Sequence, residues 1–388
     1  MQIQTGLVDC KPEEIGFAVS RLTAINDFFI RMIKSKVIFG VSYHLARRGK
    51  IFAAASIGCR HYGNPDLPML PNTVFRLASQ SKLFTIVAMH ILAEDGLISI
   101  DDKVAKYLEQ FDGAPYNEIT LLHLLTHTSG LYAHPGCIPD KHHVDAYSHI
   151  RTAYEQEENF DWIAAGLRAG LRRKPGEEWM CSNFGMELLG AVIEKVTGEK
   201  YRDYITAKIF KPLEMTNTSY ALTPDAAQNT LVFNEWNEKD LTNIVNGIKP
   251  DLSAWTHIPP GGSGAYSTTG DMIRFGIMLS QWGRLGDVRI LGRKSIESMT
   301  TQRLINIPDN CWNAEEPDRK YGVGVDMRRF PSTLYSQGTY LHEGAGHSVL
   351  IVDPKEEMVC SCVYPWVNGE FNNDCNSRLY NVMWSGLL

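Results

Sequence analysis

No stretch of this sequence approaches the roughly 18 consecutive apolar residues that a membrane-spanning helix requires. The opening residues, MQIQTGLVDCKPEEIGF, lack the basic segment and apolar core of a secretory signal. These two absences give the expectation of a cytoplasmic protein with no membrane partner. A dense basic cluster is also missing, and the formal net charge is −6, so nucleic acid is not an expected partner. There is no internal repeat and no low-complexity tract. The eight cysteines show no repeating spacing and no CxxC pair. Without an export signal, free thiols are expected rather than a disulfide framework. Cys360-Ser361-Cys362 lies among residues of strand character, and no metal or other cofactor is assigned.

What is present is an ordinary soluble composition, 44% hydrophobic and 21% charged, in a chain of 388 residues. That length exceeds one small core and fits two packed units. Apolar positions from Pro12 to Lys36 recur at helical spacing. Two strand-like runs then flank Arg48-Gly49-Lys50, which reads as a β-hairpin. The middle is mostly helical. Ser79 to Asp95 reads as one helix stopped by Gly96. Thr120 is a candidate N-cap for ITLLHLLTHTSGL, and Gly198 stops a helix running from Phe184 to Thr197. Residues 221–256 read as long loops. Near the end, two strand-like runs surround Asp353-Pro354, and CNSRLYNVMWSGLL can form a closing amphipathic helix. The expected fold is α/β plus all-α: an antiparallel sheet flanked by helices, built from both chain ends, with a helical domain inserted. The boundaries read as 1–75 with 258–388 for the sheet unit and 76–257 for the helical unit, with the active site between them.

The most informative stretch is Ser79-Gln80-Ser81-Lys82, followed by Leu83, Phe84, Ile86, Val87 and Met89. If Ser79 opens a helix, Lys82 lies one turn on, on the same face. An ammonium seated against a dry core is driven toward its neutral form, below the usual 10.4 or so. The positive end of the helix dipole acts in the same direction. A partly neutral lysine can take a proton from a serine hydroxyl and make it a nucleophile. The competing reading is a capping serine and a lysine that reaches out to solvent.

Six segments set the context: FRLASQSKLF, LAEDGLISIDDKVAKYL, ITLLHLLTHTSGL, KPGEEWMCSNFGMELLGAVIEKVTG, PPGGSGAYSTTGDMIRF and HEGAGHS. In this order they resemble the serine β-lactamase and penicillin-binding-protein superfamily. The branch they resemble contains the class C β-lactamases, family VIII carboxylesterases, D-aminopeptidases and transesterases. The resemblance runs from about residue 12 to the C-terminus and is weakest over 199–255.

The resemblance implies that Ser79 is acylated and that Lys82 is its proton partner. The family's second motif, usually Tyr-x-Asn, falls on Cys181-Ser182-Asn183. The asparagine matches, and Cys181 stands where relatives carry tyrosine. Three readings of Cys181 stay open: a substitute proton relay, a bystander, or the mark of a chain that has lost hydrolytic activity. Asn183 is expected to contact substrate or the lysine, or to cap the helix from Phe184. His342-Glu343-Gly344 resembles the His-x-Gly of the esterase-like branch. The backbone N–H of Ala345, with that of Ser79, would then form the oxyanion hole. His123 and His127 have the i, i+4 spacing of a metal pair but read as packing and hydrogen bonding. His134, His142 and His143 show no partner pattern. Tyr132, Trp312 and Tyr335 could wall an acyl pocket or simply pack.

The implied chemistry is acyl transfer on a small-molecule ester or amide through an acyl-Ser79 intermediate, without cofactor. An intracellular carboxylesterase or transesterase is the expected activity. The alternatives are a β-lactamase, a D-amino-acid peptidase or amidase, and a non-catalytic ligand-binding homologue. Neither the oligomeric state nor the natural substrate is written in the sequence.

Overall fold

A computed structural model describes residues 2–132, 161–248, 258–309, 311, 317–327, 333–345, 348–367 and 373–388. Its ten strands are β1 (Ile3–Thr5), β2 (Gly40–Arg47), β3 (Lys50–Gly58), β4 (Phe75–Arg76), β5 (Tyr266–Ser267), β6 (Arg284–Leu285), β7 (Val288–Arg289), β8 (Tyr340–Gly344), β9 (Ser348–Asp353) and β10 (Met358–Val363). The helices are α1 (Val19–Lys34), α2 (Lys82–Glu94), α3 (Leu121–Leu125), α4 (Trp162–Leu167), α5 (Asn183–Thr197), α6 (Tyr201–Ile205), α7 (Pro224–Gln228), α8 (Glu235–Val245), α9 (Thr269–Ser280), α10 (Arg293–Met299) and α11 (Asn373–Trp384). None of the described helices is long and apolar enough to cross a membrane.

Six strands form one antiparallel sheet in the order β1-β3-β2-β10-β9-β8. Strands from both chain ends therefore build it, as the sequence suggests. The β2–β3 hairpin closes through Arg48 at φ 50° and Gly49 at φ 75°. Two consecutive positive φ values match the right-handed twist of the paired strands. Because strand side chains alternate, each sheet face carries its own apolar set. Cys360, Cys362, Val349 and Ile351 pack with Ile25 and Phe29 of α1 and with Leu379, Tyr380 and Trp384 of α11. Val359, Val363, Leu350 and Val352 join the larger core, which also contains the buried sides of α2, α5 and α9.

Several local expectations change. Ser79 does not lie in a continuous helix. A 3₁₀ turn, Ala78–Ser81, precedes α2, and Ala78 at its start adopts φ 47°. The C-terminal region holds three strands rather than two, since Tyr340–Gly344 forms an edge strand of its own. The polar 221–256 stretch contains α7 and α8. Their N-caps are Thr223, which accepts from Ala226 N, and Asn234, which accepts from Asn237 N. Capping chemistry marks these helices where apolar periodicity is weak. Strand β1 was not anticipated. Among the described residues, six cysteines (10, 59, 181, 311, 360 and 362) form no disulfide.

Helix α9 sits very close to the sheet. A Cβ on Gly276 would fall 2.5 Å from Cγ1 of Val359 and 2.9 Å from Cδ1 of Leu350. Gly276→Val therefore overpacks this interface and lowers stability by about 1–3 kcal/mol. The expected result is a lower urea midpoint at unchanged slope; an unshifted midpoint would contradict this packing.

Candidate active site

Ser79 occupies the 3₁₀ turn and is partly accessible, whereas Lys82, at the start of α2, is fully buried. The lysine does not reach solvent. Its Nζ donates to Ser79 Oγ at 3.0 Å, Asn183 Oδ1 at 2.6 Å and the Gly262 carbonyl at 2.8 Å. Burial pushes the ammonium below its ordinary pKa, while Cys181, Glu187 and Cys311 pull the other way. Two of the three partners are carbonyl oxygens, which only accept. A neutral amine satisfies both with its two N–H groups. Its lone pair is then left for the serine hydroxyl.

Asn183 reaches the lysine because its neighbour takes the capping role. Ser182 is the N-cap of α5, its Oγ accepting from Gly185 N at 2.8 Å. The expectation that Asn183 caps a helix beginning at Phe184 is thus corrected: Asn183 is the first helical residue. The lysine's third acceptor depends on glycine. A Cβ on Gly262 would lie 2.9 Å from Asn183 Cα, and one on Gly261 would lie 2.1 Å from Met186 O. Only a bare backbone brings this segment so close to α5.

Cys181 is buried, and burial raises its thiol pKa against the lowering pull of Lys82 and Arg319. The thiol is therefore held in its protonated form at neutral pH. Its segment is fixed by backbone bonds. Trp179 N donates to Pro308 O at 2.9 Å, and Met180 N donates to His127 O at 2.8 Å. Ser182 N donates to His127 Nδ1 at 3.2 Å. A backbone N–H only donates, so Nδ1 is the accepting nitrogen of His127. Burial, reinforced by Lys82, His342 and Arg319, holds this imidazole far below the usual histidine range. It is neutral and structural. His123 is likewise local, its Nδ1 accepting from Thr120 N while Thr120 Oγ1 caps His123 N.

Beneath this segment lies Arg319, 1% exposed. Its guanidinium pairs with Asp309 at 3.2 Å and Asp326 at 2.8 Å, and stands 4.0 Å from the Trp179 ring centroid. The Asp326 carbonyl in turn accepts from Leu341 N on β8. One buried cation thus ties the Trp179–Cys181 segment to the strand of the third motif. Sequence reasoning missed Arg319, because nothing in its local spacing marks it.

On β8, His342 Nδ1 bonds the Glu343 carbonyl at 2.9 Å. The carbonyl accepts, so Nδ1 carries the hydrogen and Nε2 keeps its lone pair in the neutral ring. Glu343 Oε1 accepts from Tyr380 Oη at 3.1 Å and Asn376 Nδ2 at 3.4 Å, anchoring β8 to α11. A Cβ on Gly344 would sit 2.2 Å from the Leu77 carbonyl. The strand therefore runs tightly against the residues that lead into Ser79. Ala345, exposed, follows at its end.

The structure brings together Ser79, Lys82 and Asn183 by direct hydrogen bonds, and sets Cys181 within electrostatic reach of the lysine. Gly344 packs against the serine's approach. Tyr335 instead packs against Tyr380 and Trp384, in the core on the α1 and α11 face of the sheet. Tyr132 is partly accessible. Trp312, His134, His142 and His143 lie outside the described residues.

The chain is similar to several known proteins. Protein flp of Staphylococcus aureus (strain N315) is 31% identical over 220 residues, covering 56% of this chain and 41% of that protein. Penicillin-binding protein 4* of Bacillus subtilis is 36% identical over 156 residues, covering 39% of this chain and 31% of that protein. The chain thus matches less than half the length of either relative. Among solved structures, a penicillin-binding-protein homologue from Caulobacter crescentus superposes with a TM-score of 0.75 at 18% identity, over all of both chains. A family VIII carboxylesterase superposes with a TM-score of 0.74 at 20% identity, also over all of both chains. Residues 25–372 match the family model described as Beta-lactamase, and the chain belongs to that family.

Proposed function

We propose that this chain is a serine hydrolase or acyltransferase that forms an acyl-Ser79 intermediate on an uncharged ester or amide, with esters preferred. The observation that carries this reading is the buried amine 3.0 Å from Ser79 Oγ, with two carbonyls occupying its other directions. The Lys82 lone pair takes the Ser79 proton as Oγ attacks the substrate carbonyl. The resulting oxyanion is held by the backbone N–H groups of Ser79 and Ala345. When the tetrahedral species collapses, the Lys82 ammonium returns its proton to the leaving group, an alcohol oxygen from an ester or an amine nitrogen from an amide. Water or another alcohol then repeats the sequence and frees the acyl group.

Cys181 is assigned no proton abstraction, since burial keeps its thiol protonated. Lys82 is the base. The preference for esters rests on His342, which occupies the third-motif position where β-lactamases carry lysine. A lysine there would offer a substrate carboxylate a permanent positive charge; an imidazole does not. In the same reading, 1–75 with 258–388 and 76–257 form two units. Ser79, Lys82, Cys181 and Asn183 come from one, and His342, Gly344 and Ala345 from the other.

Incubation with p-nitrophenyl butyrate is expected to give a burst of nitrophenol and a mass increase of one butyryl group. Ser79→Ala is expected to abolish both. An unmodified wild-type mass, with the ester nevertheless bound, would favour a non-catalytic binding protein.

The pH dependence follows from the lysine. Its neutral form is active and its pKa is lowered. The ratio kcat/KM should therefore rise with pH along a limb centred below the ordinary lysine value of about 10.4. Lys82→Met should remove about 10²–10⁴-fold of the rate. Cys181→Ser should keep most of the rate and the same limb. A Cys181→Ser loss as large as that of Lys82→Met would instead make the thiol a required proton carrier.

A further inference from the structure

Lys82 is not the only α2 residue that holds the glycine segment. Thr85, three residues on and fully buried, has Oγ1 2.7 Å from the Gly261 carbonyl and 2.7 Å from Tyr201 Oη. Tyr201 Oη lies 3.1 Å from Tyr220 Oη. Three hydroxyls therefore form a buried row ending on a carbonyl. Their hydrogen-bond order is fixed by elementary inventory. The carbonyl only accepts, so Thr85 donates to it. The Thr85 oxygen then receives the Tyr201 hydrogen, and the Tyr201 oxygen receives the Tyr220 hydrogen. Burial raises the pKa of both phenols, which keeps them as donors.

Gly261 and Gly262 are consecutive. One carbonyl is held by Thr85, the next by Lys82. On the opposite side the segment is pressed against α5, where Met186 O and Asn183 Cα leave no room for a Cβ. The peptide between these residues is thus clamped between α2 and α5, and the hydroxyl row sets its rotation. Gly262 O belongs to the next peptide, so its place follows from this anchored peptide together with the Gly262 backbone angles. Gly262 O, with Asn183 Oδ1, decides which direction remains for the lysine lone pair.

We propose that Thr85, backed by Tyr201 and Tyr220, is a positioning residue that aims the Lys82 lone pair at Ser79 by holding the Gly261-Gly262 carbonyls. This rests on the Ser79/Lys82 reading above, and it gives a role to residues that touch neither substrate nor serine. Loss of the Thr85 hydroxyl leaves a buried carbonyl without its donor, and the peptide turns to find another.

The test compares Thr85→Val, Thr85→Ser, Tyr201→Phe and Ser79→Ala by burst kinetics on p-nitrophenyl butyrate, pH profile and thermal midpoint. Thr85→Val is expected to slow acylation roughly 10–100-fold, the scale of a small misplacement of a reacting group. KM should be unchanged. The rising limb of the profile should move to lower pH, since the ammonium loses a well-placed acceptor. Thr85→Ser restores both rate and limb. Tyr201→Phe, which leaves the Thr85 donor in place, gives a smaller loss of the same kind. Wild-type acylation in Thr85→Val overturns the proposal. So does a Thr85→Ser variant as slow as Thr85→Val. Should Thr85→Val not fold, a Tyr201→Phe variant with a changed KM and an unmoved limb overturns it equally. Turnover that survives Ser79→Ala overturns the parent reading and this one together. A Ser79→Ala variant without burst, beside an unaffected Thr85→Val, removes this inference alone.

Discussion

The site depends on one amine kept out of water. A buried ammonium is unfavourable unless it is paired or loses its proton. Here Lys82 has three oxygen neighbours and no solvent contact. Two of those neighbours are carbonyls, which leave the third direction facing Ser79. The apolar run from Leu83 to Leu92 is what makes the burial possible. That is why a lysine stands at the head of so hydrophobic a helix.

Holding those oxygens in place draws on segments far apart in the chain. Asn183 comes from the first turn of α5, and its side chain is available because Ser182 accepts the capping bond. Gly262 comes from a loop 180 residues beyond the lysine, and its closeness to α5 admits no side chain. A second frame lies below. Asp309, Arg319 and Asp326 tie Trp179 to β8, so the second and third motif positions share one buried support. Such a pair-bound cation is a constraint on geometry more than a source of stability.

Much of this was legible in the sequence, for a physical reason. Ser79 and Lys82 stand one turn apart ahead of an apolar run. Tight glycines such as Gly344 are visible as residue types. The sheet built from both chain ends followed from where strand character appears. Other parts were hidden because the deciding group is not a side chain or not local. The Gly262 carbonyl has no signature of its own. Arg319 acquires meaning only when residues 179, 309 and 326 meet. Ser182 and Asn183 are both good caps by type, and only the fold assigns them different work. Helices α7 and α8 escaped because their polar sequences obscure periodicity, although Thr223 and Asn234 were there to announce them.

The depressed basicity of the Lys82 amine reaches beyond the reaction. Once the chain opens, the same amine regains its ordinary affinity for protons, near 10.5. Between the folded and unfolded values the open chain carries the extra proton, so acidification favours opening and alkalinity favours the closed form. On the proposed mechanism, reactivity at Ser79 and resistance to unfolding are therefore coupled through one titration: the burial that would ready the hydroxyl also makes the protein easier to open as the medium becomes more acidic through that window.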